Sequence, residues 1–132
     1  MTPLQFVNNA IGVPFTEFGR EYDGWDCWGL VLKGYQDVFN ISLQDFNYKS
    51  VEDYKSLVKN FDTRKNILWK SVEPDTFKIA CIFRNHKVIH AGLYYENKIL
   101  HCEKGIETCL ERCDRLQIEG YYEPVILPAT PI

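Results

Sequence analysis

The sequence has little with which to hold nucleic acid. Its 132 residues carry 15 Lys and Arg against 18 Asp and Glu, a formal charge of −3. The basic residues form no cluster, and phosphate binding needs one. Nucleic acid is therefore not expected as a partner, and nothing would draw the chain electrostatically to an anionic membrane. No apolar run approaches the roughly 20 residues of a membrane span. The opening "MTPLQFVNNAIG" has neither the basic nor the long apolar region of a signal peptide, so synthesis in the cytoplasm is expected. There is no C-x2-C pair. The five cysteines (Cys27, Cys81, Cys102, Cys109, Cys113) are odd in number and do not follow a secreted disulfide pattern, so a reduced state is expected. Cys109 and Cys113 with His101 make only a weak case for zinc, because C-x3-C alone is not a zinc spacing. No metal and no cofactor are expected. With three histidines in all, His86, His90 and His101, few groups can serve as an imidazole base.

What is present suits one globular domain. Hydrophobic residues make up 45% of the chain and aromatics 14%, enough for a core without disulfides at this length. Thr2 before Pro3 reads as an N-cap and first helical residue, and Leu4, Val7 and Ile11 recur at helical spacing, predicting a helix over 3–10. Residues 12–25 read as loop. Trp28, Val31, Leu32, Tyr35, Val38 and Phe39 then form a wide apolar stripe, with Asp26 as N-cap, predicting a helix from Cys27 to about 38. Ser50 and Asp53 resemble a capping box ahead of a third helix over 51–61. After Pro74 the pattern turns to short alternating segments: "KIACIF", "KVIHAGLYY", "KILHC", "IETCL" and "RLQIEGYYEPVIL". These predict an antiparallel meander. Helices first and strands second make an α+β fold, with helices on one face of a sheet.

The segment "DGWDCWGLV" places Cys27 at the first position of a helix. Exposed amides and the positive end of the helix dipole favour the thiolate there, so a lowered pKa is expected. Gly24 and Gly29 are expected to let other backbone or a substrate come close. Taken alone, a cysteine in an apolar segment is most often core filler; its capped position between glycines argues for a nucleophile. A nucleophilic thiol needs a base. If "VIHAGLYY" and "KILHC" are joined by a two-residue turn at Glu96–Asn97, paired positions sum to an odd number. His90 and His101 then share a face and lie opposite or diagonal. A three-residue turn would put them on opposite faces. One imidazole could act as base and the other orient it. His86 falls in the turn "RNHK" and reads as solvated. Cys81 and Cys102 read as small buried hydrophobes. Trp28 lies on the helix stripe and reads as packing, whereas Trp25 precedes the helix and could line a groove.

Taken together, "GWDCWGLV" and "HAGLYYENKILHC" resemble the two ordered blocks of the NlpC family of cysteine peptidases, bacterial cell-wall endopeptidases of papain-like fold. The likeness runs over residues 11–125. The Trp after the cysteine and the terminal "IEGYYEP" look most like the branch associated with phage tail assembly. The resemblance implies an NlpC-type domain over 1–132 with an insertion at about 42–75. It implies hydrolysis of peptidoglycan stem peptides, at D-γ-glutamyl to diaminopimelate bonds, and phage tail proteins as partners at a tail tip. Cys27 would be the nucleophile, His90 the base and His101 the orienting third residue. Asp26, Phe15, Tyr22 and Trp25 are the residues expected around the oxyanion and substrate. Many members of the family have a tyrosine twelve residues before the cysteine; Phe15 stands there, leaving Tyr22 as a substitute hydroxyl. The usual Gly-Asp before the first core strand is replaced by "FKIACIF". Two alternatives use the same residues: a weakly active or inactive assembly protein on this fold, and an acyltransferase with the same thiol.

Overall fold

The computed structural model describes residues 1–43, 45 and 69–125. The first helix, α1, spans Pro3–Ala10. Thr2 Oγ1 accepts from the Gln5 amide, and the Gln5 side chain accepts from the Thr2 amide, so a full capping box opens it. The loop expected over 12–25 contains a small hairpin, β1 (Arg20–Glu21) and β2 (Gly24–Trp25).

Helix α2 spans Cys27–Gly34 and continues as a π-helical turn over Tyr35–Phe39. The predicted end near 38 is thus met by a change of hydrogen-bond pattern, a local widening often found near functional sites. Asn40, at a φ of 56°, closes the helix in the left-handed region. Trp28, Leu30, Val31 and Tyr35 are buried.

Among the described residues the sheet has six strands, in the order β3-β8-β4-β5-β6-β7. They are β3 (Trp69–Val72), β4 (Ile79–Arg84), β5 (Lys87–Tyr95), β6 (Lys98–Glu103), β7 (Ile106–Arg112) and β8 (Ile118–Pro124). Strands β4 to β7 form the expected meander. The last strand does not continue it: β8 returns to pair with β4, and β3 adds outside β8. The chain makes that return through a 3-10 turn at Cys113–Arg115. The helix predicted over 51–61 and its Ser50/Asp53 cap lie outside the described residues.

Alternation sorts the sheet into two faces. Ile79, Cys81, Ala91, Leu93, Leu100 and Cys102 share the main core with Phe6, Trp25, Trp28 and Val31, so the helices cover this face. Ala80, Ile82 and Ile99 face the other way, under Tyr94, Leu116 and Tyr121. His90 pairs with Ile82, which places it on this second face.

Candidate active site

Asp26 caps α2 as the sequence suggests, and it does more. Its Oδ1 accepts from the Gly29 amide at 2.9 Å and from Arg20 Nη1 at 2.8 Å. Its Oδ2 accepts from the Phe18 amide at 3.0 Å. This fully buried carboxylate ties the β1 loop to the helix start and so fixes where residue 27 sits. Arg20 extends the network outward to Asp45 through two further bonds. With both oxygens committed, Asp26 is a structural anchor and not a group left for substrate.

Cys27 follows directly. The backbone amides of Trp28 and Ala91 lie where they favour its thiolate, so the sulfur faces the β5 backbone at Ala91, the residue after His90. They do not win. Burial raises the thiol first, the Asp26 carboxylate raises it further, and the outcome is about 12. The lowered pKa expected at a helix start is therefore corrected: dipole and amides are outweighed where only 7% of the residue remains exposed. The glycines also serve another purpose than expected. A Cβ at Gly29 would lie 2.2 Å from the Gly19 carbonyl oxygen, and one at Gly24 would lie 2.1 Å from Thr16 Oγ1. The space beside the cysteine is filled by the protein's own loop, which is how that loop packs onto the helix.

The histidines stand as the two-residue turn requires. Glu96 and Asn97 both have positive φ, 49° and 64°, and the ladder runs Tyr95↔Lys98, Tyr94↔Ile99, Leu93↔Leu100. His90 and His101 are consequently diagonal on one face, and His90 Nε2 lies 2.9 Å from His101 Nδ1. An extra residue, Ile89, bulges from β5 against β4 next to His90. Such bulges re-aim neighbouring side chains. The ladder between β5 and β6 stops at Leu93/Leu100, and Cys27 meets this region from the helix-covered side. Among the described residues no hydrogen bond joins Cys27 Sγ to His90.

The chain of contacts continues past His101. Its Nε2 lies 3.0 Å from Glu111 Oε1 on β7. A carboxylate only accepts, so the proton of a neutral His101 sits on Nε2. His101 Nδ1 is then an acceptor, His90 Nε2 carries a proton and donates to it, and His90 Nδ1 is bare. Glu111 thus sets the tautomer of a ring it does not touch. Burial pushes His90 down to about 3; Glu103 opposes the shift, and His101 and Arg84 add to it. Glu103 is held by Arg84 in a two-bond pair at 2.8 and 3.2 Å. Burial works to raise the Glu103 carboxyl, but Arg84 and the nearby rings bring it below its usual range. At neutral pH the thiol and the His90 imidazole are both uncharged.

The remaining expected residues lie elsewhere. Tyr22 donates its hydroxyl to Asp37 at 2.6 Å. Asp37 is ten residues beyond Cys27, about 15 Å along the helix, so this hydroxyl is not the substitute oxyanion donor. Trp25 is fully buried, its Nε1 donating to Thr108 Oγ1 at 2.8 Å, and it lines no groove. Phe15 is half-buried, forms an isolated bridge to Trp25, and packs on the core. His86 is exposed in a positive-φ turn, and Cys81 and Cys102 are buried, as expected. The sequence reading missed Arg20, Arg84, Glu103 and Glu111. Among the described residues two groups bring donor atoms within 4.8 Å of one another: His90, His101 and Glu103, and His101, Cys109 and Glu111.

No family model matches this sequence, and no curated protein does. The fold has a solved counterpart. The NlpC/p60 domain of the peptidoglycan hydrolase SagA matches with a TM-score of 0.64 at 12% identity, over 92% of this chain and 94% of that one. The likeness establishes the fold as α+β and papain-like, of the NlpC/p60 type.

Proposed function

We propose that this chain is a cysteine peptidase that cleaves peptidoglycan stem peptides. The observation that carries the reading is the hydrogen-bonded run His90–His101–Glu111, which leaves His90 Nδ1 bare beside a strand whose next amide, Ala91, faces the thiol at the start of α2. A fold shared with a peptidoglycan hydrolase domain supports it. In this mechanism Cys27 Sγ attacks the scissile carbonyl while its proton passes to His90 Nδ1. Because thiol and imidazole begin neutral, the transfer accompanies the attack and does not precede it. The Cys27 backbone amide, at the first position of the helix, is the donor for the developing oxyanion. His90 then protonates the leaving amine, a thioester remains, and a water activated by His90 releases the acid. The finer assignments follow the sequence likeness: the D-γ-glutamyl–diaminopimelate bond as substrate, and a phage tail tip as the place of action.

A second reading has specific support. A thiol pushed up to about 12 and almost covered, with Phe15 in place of a tyrosine and Tyr22 bound to Asp37, suits a weak hydrolase retained as an assembly protein. Purified muropeptides separate the two. Wild type should release free amine and new carboxyl ends, and Cys27→Ala should release none while keeping its circular dichroism spectrum. Equal cleavage by both proteins removes the peptidase reading; absence of cleavage by both favours the second. Added amines in the same assay show whether the thioester goes to water or to an acyl acceptor.

A further inference from the structure

We propose that His101, Cys109 and Glu111 form a Zn²⁺ site on the outer strands of the sheet, and that metal there switches off the base; the second half rests on the peptidase reading. The three donors come from adjoining strands. Cys109 is the direct cross-strand partner of His101, and Glu111 lies two residues further along β7 on the same face. A ring nitrogen of His101, Cys109 Sγ and a Glu111 oxygen all lie within 4.8 Å of one another; the nitrogen turned to Glu111, at 3.0 Å, is Nε2, because Nδ1 is hydrogen-bonded to His90. Nitrogen, sulfur and carboxylate are donor types of zinc, whose bonds run about 2.0–2.3 Å; small side-chain rotations of Cys109 and Glu111 would close the three onto one ion, with water as fourth ligand. Cys109 and Glu111 are only half-covered, so a metal can enter from solvent, whereas in the His90–His101–Glu103 group both rings are buried. There, Glu103 is already engaged by Arg84. One thiolate and one carboxylate neutralise the ion's two charges. On binding, the Cys109 thiol releases its proton to solvent as the zinc–sulfur bond forms.

The consequence follows from ring chemistry. Zinc on His101 Nε2 replaces the proton that Glu111 held there, so the remaining proton of the neutral ring must sit on Nδ1. His101 then donates to His90 Nε2, reversing their 2.9 Å hydrogen bond. The proton of neutral His90 moves to Nδ1, the position that must be bare to accept from the thiol. The metal-free protein is the active form, and the zinc-loaded protein is the inactive one.

The test begins with metal alone. Zn²⁺ is titrated against a chromophoric chelator, and Co²⁺ is followed by thiolate-to-metal absorption, in the full-length Cys27→Ala protein, which removes the thiol of the proposed active site. One equivalent should bind, and the cobalt–thiolate band should vanish in the added Cys109→Ser change. Losing an outer-shell partner already costs about 10–100-fold in affinity; Cys109→Ser and Glu111→Gln should each cost at least that. Unchanged affinity in both variants, or a band that survives Cys109→Ser, overturns the site. Cleavage by wild type should fall as zinc rises, with a midpoint matching the binding constant, and Cys109→Ser should shift that midpoint upward relative to its own metal-free rate. Full cleavage at saturating zinc overturns the switch. No cleavage at any metal level, with binding as described, overturns the peptidase reading and leaves the site standing.

Discussion

Mild acid should destabilise this protein through one histidine. Burial holds His90 at about 3, against an ordinary value of 6.5. The folded state therefore stays unprotonated where the unfolded chain takes up a proton. With the unfolded state binding more protons, stability falls as pH drops below 6.5, and the loss continues until pH reaches about 3. Worked through, the loss is about 2 kcal/mol by pH 5 and roughly 5 kcal/mol once both values are passed, each to order of magnitude. Glu103 also loses stability in acid, but its window opens only below the ordinary carboxyl value of 4.5, so the interval from pH 7 to 5 isolates the imidazole. The assay is urea unfolding at pH 7, 6 and 5. With a slope of roughly 1–3 kcal/mol per molar urea, the midpoint of the wild type should drop by about 1 M at pH 5. His90→Gln keeps an amide able to meet His101 but cannot protonate, and its midpoint should stay nearly level over the same interval. Parallel losses in the two proteins would refute the reasoning, as would an NMR titration showing the His90 ring charging near pH 6.5 in the folded state.

Thiol reactivity should follow exposure and not helix position. Iodoacetamide at neutral pH should modify half-exposed Cys109 and Cys113 ahead of Cys27, and preferential labelling of Cys27 at pH 6 would show that thiol and imidazole form an ion pair after all. Glu111→Gln removes the charged acceptor that fixes the tautomers. Hydrogen bonds to charged groups are worth about 1.5–3 kcal/mol, and with Glu111 a third exposed the lower end applies, so kcat should fall about tenfold with little change in KM. Wild-type rates in that variant would remove Glu111 from the relay. Gly92 lies just past the end of the β5–β6 ladder, and a Cβ there would lie 2.7 Å from the Leu100 carbonyl oxygen and 3.0 Å from His101 Cβ. Gly92→Ala should cost about 1–3 kcal/mol in urea unfolding and lower activity by more than its stability loss explains, since it forces β5 and β6 apart at the histidine pair.

The contrast between what the sequence revealed and what it hid follows from the range of each interaction. The Thr2 and Asp26 caps involve atoms three residues apart, and both were legible. So was the histidine pair, because a two-residue turn at Glu96–Asn97 fixes a register that then extends by counting. Glu111 was not, although "IETCLER" puts Cys109 and Glu111 on one face. Its place relative to His101 depends on an extra residue in β7, where the pairing shifts between His101↔Cys109 and Glu103↔Ile106. A bulge defeats counting. The return of β8 to β4 escaped for a similar reason: short alternating strands specify pairing faces but not which neighbour takes the open edge. The thiol's acidity failed differently. Its local causes, helix amides and a dipole, were read correctly and act in the expected direction. They are opposed by burial, which is the sum of everything packed over the sulfur from α2, β5 and β6, and by a carboxylate whose own binding to Arg20 and two amides keeps it buried beside residue 27. A site of this kind is held neutral by the same anchor that builds it. On the proposed peptidase reading, its chemistry is driven by the substrate's arrival, with the proton moving from sulfur to His90 only as the new bond forms.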